Sequence, residues 1–218
     1  MDEAPHTPAG NRAALLALDR LKALVDGVLA VVITLLVLDF EAPDTPLVAD
    51  ETAKFLWSFE AQLHPYMASF GLIAAYWIQH TVILAYVRHG NRVFVWLNIL
   101  FLLPLSLIPF LTSLRTGHPT EFVAAAFFGI GQVLCGVLLL AIWLYATTGS
   151  RFVSHKLDPA VVRSMSVRIA LGPLFCIAGA FVSVMHPRIG TLIFLCVPAL
   201  YMSHRKVDAS WRESAGED

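Results

Sequence analysis

Charge is scarce in this chain. Asp, Glu, Lys and Arg make up 14% of its 218 residues against 57% hydrophobic residues, and the mean hydropathy is +0.70. A soluble domain carries about a quarter charged residues, so water is not the main solvent of this one. The net charge of -1 leaves no basic excess. Lys and Arg gather at the ends of apolar segments and not along a groove-tracking stripe, which excludes nucleic acid as a partner. Cysteine is equally sparse. Cys135, Cys176 and Cys196 lie inside apolar runs without metal-ligand spacing, and they read as small buried hydrophobes with no disulfide, metal or cofactor attached. Catalytic signatures are missing too: there is no nucleophile elbow, no His-Glu-x-x-His and no pair of membrane carboxylates, which speaks against an enzyme. No small-residue cleavage site follows the first apolar run, so that run is read as a retained helix. No repeat suggests inverted transporter halves, and low complexity is confined to two short polar tails.

What is present is a series of long apolar segments, at about 18–39, 62–88, 92–113, 121–147, 164–185 and 189–203. Most approach the ~20 residues that cross a bilayer core. The expected fold is therefore an all-α membrane protein of six transmembrane helices. One domain, 18–203, sits between an N-terminal tail, 1–17, and a C-terminal tail, 204–218. The basic residues suggest an orientation, because loops on the cytoplasmic side carry the Lys/Arg excess. With both termini inside, only Lys54, Arg115 and Arg188 of the 15 Lys and Arg lie outside. The first outer loop then collects Asp39, Glu41, Asp44, Asp50, Glu51 and Glu60. It reads equally as a cation-concentrating mouth or as an ordinary solvated acidic loop. Pro104, Pro109, Pro173 and Pro198 are expected to bend their helices, and Gly129, Gly131 and Gly136 to let helices approach closely.

The first segment is unusual for a lipid-facing span. Its uninterrupted apolar part, from Gly27 to Leu38, is about 18 Å long at ~1.5 Å per residue. The turn carrying Asp26 must then reach the edge of the ~30 Å hydrocarbon layer, and a carboxylate there must face protein or water. At ~100° per residue Val31, Leu35 and Leu38 share one face, which Leu24 and Gly27 extend inward. Asp26 points roughly 140° away from Val31, toward neighbouring helices. Lys22, at i−4, is on the side of Asp26, whereas Arg20 needs a bent inner end or another helix to meet it. By periodicity alone such a stripe reads first as bundle packing, and Thr34 as a hydroxyl bonded to its own helix.

The pattern Arg20, then Asp26-Gly27-Val28, then Thr34-Leu35-Leu36-Val37-Leu38 resembles the signature of the lysosomal potassium channel family, transmembrane protein one-seventy-five, in its six-helix prokaryotic form. Leu24 and Val25 stand where that signature has Phe and Ser. Tyr76-Trp77-Ile-Gln-His80, Asn91-Arg92, Trp96-Leu97-Asn98, Ser106-Leu-Ile-Pro109-Phe110 and Thr112 continue the likeness, which spans about residues 20–115. The resemblance implies a homotetramer in the inner membrane of a prokaryote, with potassium as the permeant ion and helix 1 of each chain around a central pore. It assigns Val31, Leu35 and Leu38 to the constriction and Thr34 to a polar layer. Arg20, Asp26, Trp77, His80 and Asn98 become a motif network that fixes the rotation of helix 1. No Thr-Val-Gly-Tyr-Gly filter is present, so selectivity would have to come from an aliphatic ring that resists wetting and favours the ion shedding water more cheaply. The rival readings are a proton-coupled transporter and a proton-conducting channel, both using Asp26 and His80.

Overall fold

The computed structural model describes residues 9–40, 49–118, 121–154 and 157–202, and every regular element among them is helical. The chain runs through α1 (Ala9–Leu35), which tightens into a 3-10 turn (Leu36–Asp39), then α2 (Ala49–Tyr86) and α3 (Arg92–Ser106). It continues through α4 (Ile108–Gly117), α5 (Phe122–Thr147), α6 (Pro159–Met185) and α7 (Pro187–Met202). The α3 and α4 helices form one bent rod, so seven helices make six rods. Five of these are long and apolar enough to cross a membrane on length and composition: Leu18–Leu38, Lys54–Tyr86, Arg92–Gly117, Phe122–Ser150 and Pro159–Ser183. The sixth rod, α7, has 16 described residues, about 24 Å, up to Met202.

Two boundaries differ from the sequence expectation. The α1 helix begins at Ala9, within the stretch read as a tail. The α2 helix begins at Ala49 and has 38 residues, about 57 Å, so Asp50, Glu51 and Glu60 belong to a helix and not to a loop. Acids at a helix start suit its positive end, and the same two residues that read as loop polarity serve as a helix-start signal. Glu41, Asp44 and the tail 204–218 lie outside the described residues.

Local chemistry explains the other ends. The Asn91 side chain accepts a hydrogen bond from the Phe94 N–H at 2.9 Å and caps α3. The Asp158 carboxylate takes the Ala160 N–H at 2.8 Å, with Pro159 in the first helical position of α6. The α5 helix stops where Gly149, at φ +64, turns into the left-handed region that a side chain disfavours. Pro109 has no N–H to give the Leu105 carbonyl, and the rod breaks at Leu107, whose N–H bonds Pro104 O at 3.2 Å. Pro104, Pro173 and Pro198 are held inside helices, as is Pro65 of α2.

Lipid tails are as apolar as leucine, so apolar burial alone gives little drive for helix association in a bilayer. Close contact and buried polar bonds must hold the bundle instead. The α5 glycines provide the first. A Cβ on Gly129 would come within 2.7 Å of Ala180 Cβ, one on Gly131 would strike Leu111, and one on Gly136 would strike the Pro173 ring. These contacts seat α6 and α4 directly on the α5 backbone. Tyr76, Phe94, Phe101 and Trp143 fill the centre without exposure. Cys135 and Cys176 are buried there as expected, but Cys196 faces outward from α7, its thiol 3.4 Å from Leu192 O. The α1 helix lies at the margin against α2, α3 and α4.

Candidate functional site

The α1 helix has two faces of the same chemistry and opposite fate. Leu21, Val25, Leu29, Val32 and Leu36 recur at helical spacing and are all buried against the bundle. Leu24, Val31, Leu35 and Leu38 cover the other side and stay open, with Val31 56% and Leu38 74% exposed. Only 28% of the α1 span is buried, against 61% of the α2 span. Because the helix tightens beyond Leu35 to a 3-10 turn, Leu38 stands almost directly above Leu35, since residues three apart eclipse at three per turn. Gly27 belongs to the open side, and a Cβ there would meet nothing within 4 Å. Thr34 is exposed on the same side. Its hydroxyl lies 2.8 Å from Val31 O and 3.1 Å from Ala30 O, so its proton stays within the helix and its lone pairs face outward.

The polar residues come together as two separate pairs. The Trp77 indole Nε1–H donates to Asp26 Oδ1 at 2.8 Å, joining α1 to α2 at an exposed edge. Deeper in the bundle, His80 Nε2 and Asn98 Oδ1 are 2.8 Å apart, with both residues buried and linking α2 to α3. The Asn98 amide also donates to Phe94 O at 2.7 Å, and the His80 ring stacks parallel on Phe101 at 5.6 Å. Arg20 is in neither pair and is exposed, and Lys22 is half-buried. The described partner of the Asp26 carboxylate is the indole of Trp77, not either cation.

Two further polar links were not anticipated. The Tyr76 hydroxyl donates toward Gln132 O at 3.0 Å and Gln132 Oε1 at 3.2 Å, and the hydroxyls of Ser69 and Thr112 meet at 2.7 Å. The signal for the first was legible, because Gln132 is the lone amide of α5 and a buried amide needs a partner. Serine and threonine bond their own helix so readily that the second left no trace in sequence. Near that second link, Leu36, Phe40, Gln62, Tyr66 and Thr116 help line a cavity of about 270 Å³ at the C-terminal end of α1. Among the described residues no cluster of His, Cys, Asp or Glu is arranged to hold a metal ion.

Comparison with known proteins bears on this arrangement. A sequence model described as endosomal/lysosomal potassium channel TMEM175 matches residues 20–109, which contain both α1 faces and both polar pairs. A protein of Streptomyces collinus named a potassium channel is 30% identical over 206 residues, covering 90% of this chain and 96% of the relative. The chain belongs to the TMEM175 family. A second potassium channel of that family resemblance, from Chamaesiphon minutus, is 30% identical over 174 residues, covering 76% of this chain and 85% of its own length. The fold agrees as well. The crystal structure of a lysosomal potassium-selective channel TMEM175 homolog from Chamaesiphon minutus superposes with a TM-score of 0.70 at 23% identity, over 85% of this chain and 96% of that one. Membership places this chain among multi-pass ion channels of the TMEM175 kind and not among enzymes.

Proposed function

We propose that this chain is the subunit of a potassium-permeable, weakly to moderately potassium-selective channel in which helix 1 of each copy faces a common axis. The observation that carries the reading is the open aliphatic face of α1. An apolar face open on a membrane helix meets lipid or another copy; α1 is the least buried of the five long spans, at 28%, and its place at the bundle margin leaves that face available to other copies. Four copies around an axis would set Val31, Leu35 and Leu38 as successive rings, with the Thr34 hydroxyl oxygens between the first two. Rings of side chains from a symmetric oligomer need few polar residues per chain. An aliphatic ring resists wetting and favours potassium over sodium through the cost of deforming the hydration shell. Val31 is one methylene smaller than Ile or Leu, so its ring would be wider and its preference modest. The basic ends of the helices support an inner-membrane position with cytoplasmic termini. The transporter and proton-channel readings need Asp26 and His80 to cooperate; each group has its own hydrogen-bond partner, Trp77 for Asp26 and Asn98 for His80.

The test is cation flux into liposomes holding the purified full-length protein, potassium against sodium, with Val31→Asn alongside. Potassium-favouring flux whose rate or selectivity changes in Val31→Asn is expected. Substrate uptake driven by a proton gradient, with no potassium flux under voltage, would replace the channel by a transporter.

A further inference from the structure

The end of the bundle opposite the cavity at the C-terminal end of α1 carries a basic platform. Two connections, residues 87–91 between α2 and α3 and residues 148–154 after α5, are fastened there into one surface. The Arg88 N–H donates to Phe152 O at 2.9 Å, and the Phe152 N–H donates to Ala146 O at 3.0 Å. The Phe152 ring is buried among His89, Phe94 and Tyr145, with ring centroids 5.3, 5.5 and 5.7 Å away. The Asn91 amide donates to the Tyr145 hydroxyl at 2.9 Å, and the Arg151 guanidinium lies 4.3 Å over the Tyr145 ring.

Arg88, Arg92 and Arg151 are all exposed on this platform. A guanidinium stacked by its face keeps its N–H edge free, and that edge matches phosphate oxygens two at a time. The platform also contains the start of α3, whose first turn holds no acidic residue, so the positive end of a 15-residue helix adds to the three cations. Asp158 is the described carboxylate that follows these connections, and it is engaged in capping α6. Three exposed arginines on connections pinned together by Phe152, one of them oriented by stacking on Tyr145, suit an anion. Tyr86 of α2 and Tyr145 of α5 lie at this end of the bundle, with the buried Trp143 ring 6.0 Å from Tyr86.

We infer that Arg88, Arg92 and Arg151 form a binding site for the phosphate of an anionic phospholipid headgroup, with Tyr145 orienting Arg151. The site couples the α2–α3 and α5–α6 connections to the leaflet that holds the lipid. Its existence is independent of ion permeation, so its test reads lipid and not flux.

The experiment uses full-length protein in nanodiscs of phosphatidylcholine mixed with phosphatidylglycerol, followed by native mass spectrometry of the lipids that remain bound. Phosphatidylglycerol should be retained over phosphatidylcholine by about tenfold, and Arg151→Gln should cut that preference about fivefold, since it removes an oriented, charge-assisted contact to the phosphate. Arg163→Gln, the same charge change on α6 outside the platform, should leave the preference unchanged. Tyr145→Leu keeps every charge and should still lower retention, which generic attraction to the leaflet does not predict. Equal losses in Arg151→Gln and Arg163→Gln, or no preference in the unaltered protein, would overturn the site. Displacement of the lipid by inorganic phosphate would overturn the lipid as its ligand.

Discussion

Two of the hydrogen-bonded pairs that join α2 to its neighbours have the same length and very different surroundings. His80 and Asn98 meet at 2.8 Å with essentially no exposure, whereas Trp77 and Asp26 meet at 2.8 Å on the open edge of α1. Their sequence positions differ by a single helical turn of α2. The inner pair has no solvent to fall back on, so each partner depends on the other for satisfaction. The outer pair can exchange its bond for water, and we propose that its value lies in setting the rotation of α1. The bond length is shared, and the surroundings decide whether the bond serves stability or orientation.

Breaking the inner pair should have the largest effect. His80→Ala leaves Asn98 Oδ1 buried without its partner and removes the stack on Phe101, at a cost of about 3 kcal/mol. For a chain of this size that lowers the thermal midpoint by roughly 9 °C, read on the purified full-length protein. The double change His80→Phe with Asn98→Leu should recover most of that loss, because replacing both partners by apolar groups removes the unmet need. No recovery would mean that shape and not hydrogen bonding holds α2 to α3.

The outer pair should respond in the opposite proportion. Trp77→Phe removes the donor to Asp26 and should move the thermal midpoint by less than about 3 °C, in keeping with the small average worth of interhelical bonds in membranes. Potassium flux through liposomes should nevertheless change severalfold, since the α1 face loses its rotational tie. A large loss of stability with unaltered flux would reverse the roles assigned to the two pairs. The smallest expected effect is on stability in Gly27→Ala. A methyl group there has open space in the subunit, so the midpoint should hold within about 1 °C. Any change in flux or in the assembled size on gel filtration would then report contact between subunits at the open face.

These comparisons show which features were legible in sequence. The six apolar segments announced the rods, because a chain that must cross hydrocarbon cannot hide the length it needs. Pro104 and Pro109 announced the break in the third rod, although not that it falls at Leu107, which depends on which carbonyl finds another donor. The start of α2 at Ala49 was not legible, since acidic residues serve a helix start and a polar loop alike. Periodicity put Val31, Leu35 and Leu38 on one face of α1 without saying which of its two apolar faces the bundle would take.

That choice separates what sequence determined from what the tertiary structure decided. Helical class, rod count and the α1 stripe follow from composition, periodicity and spacing, because each depends on the chain within a few turns, while Asp26, Trp77, His80 and Asn98 were singled out by the family resemblance. Pairing Trp77 with Asp26 and His80 with Asn98, and joining residues 87–91 and 148–154 around Phe152, required the packing of α2 against α1 and α3 and of α5 beside them. Hydrogen bonds between helices depend on rotation and depth to within an ångström, and only the close contacts along the bundle, such as Gly136 on Pro173, set those values.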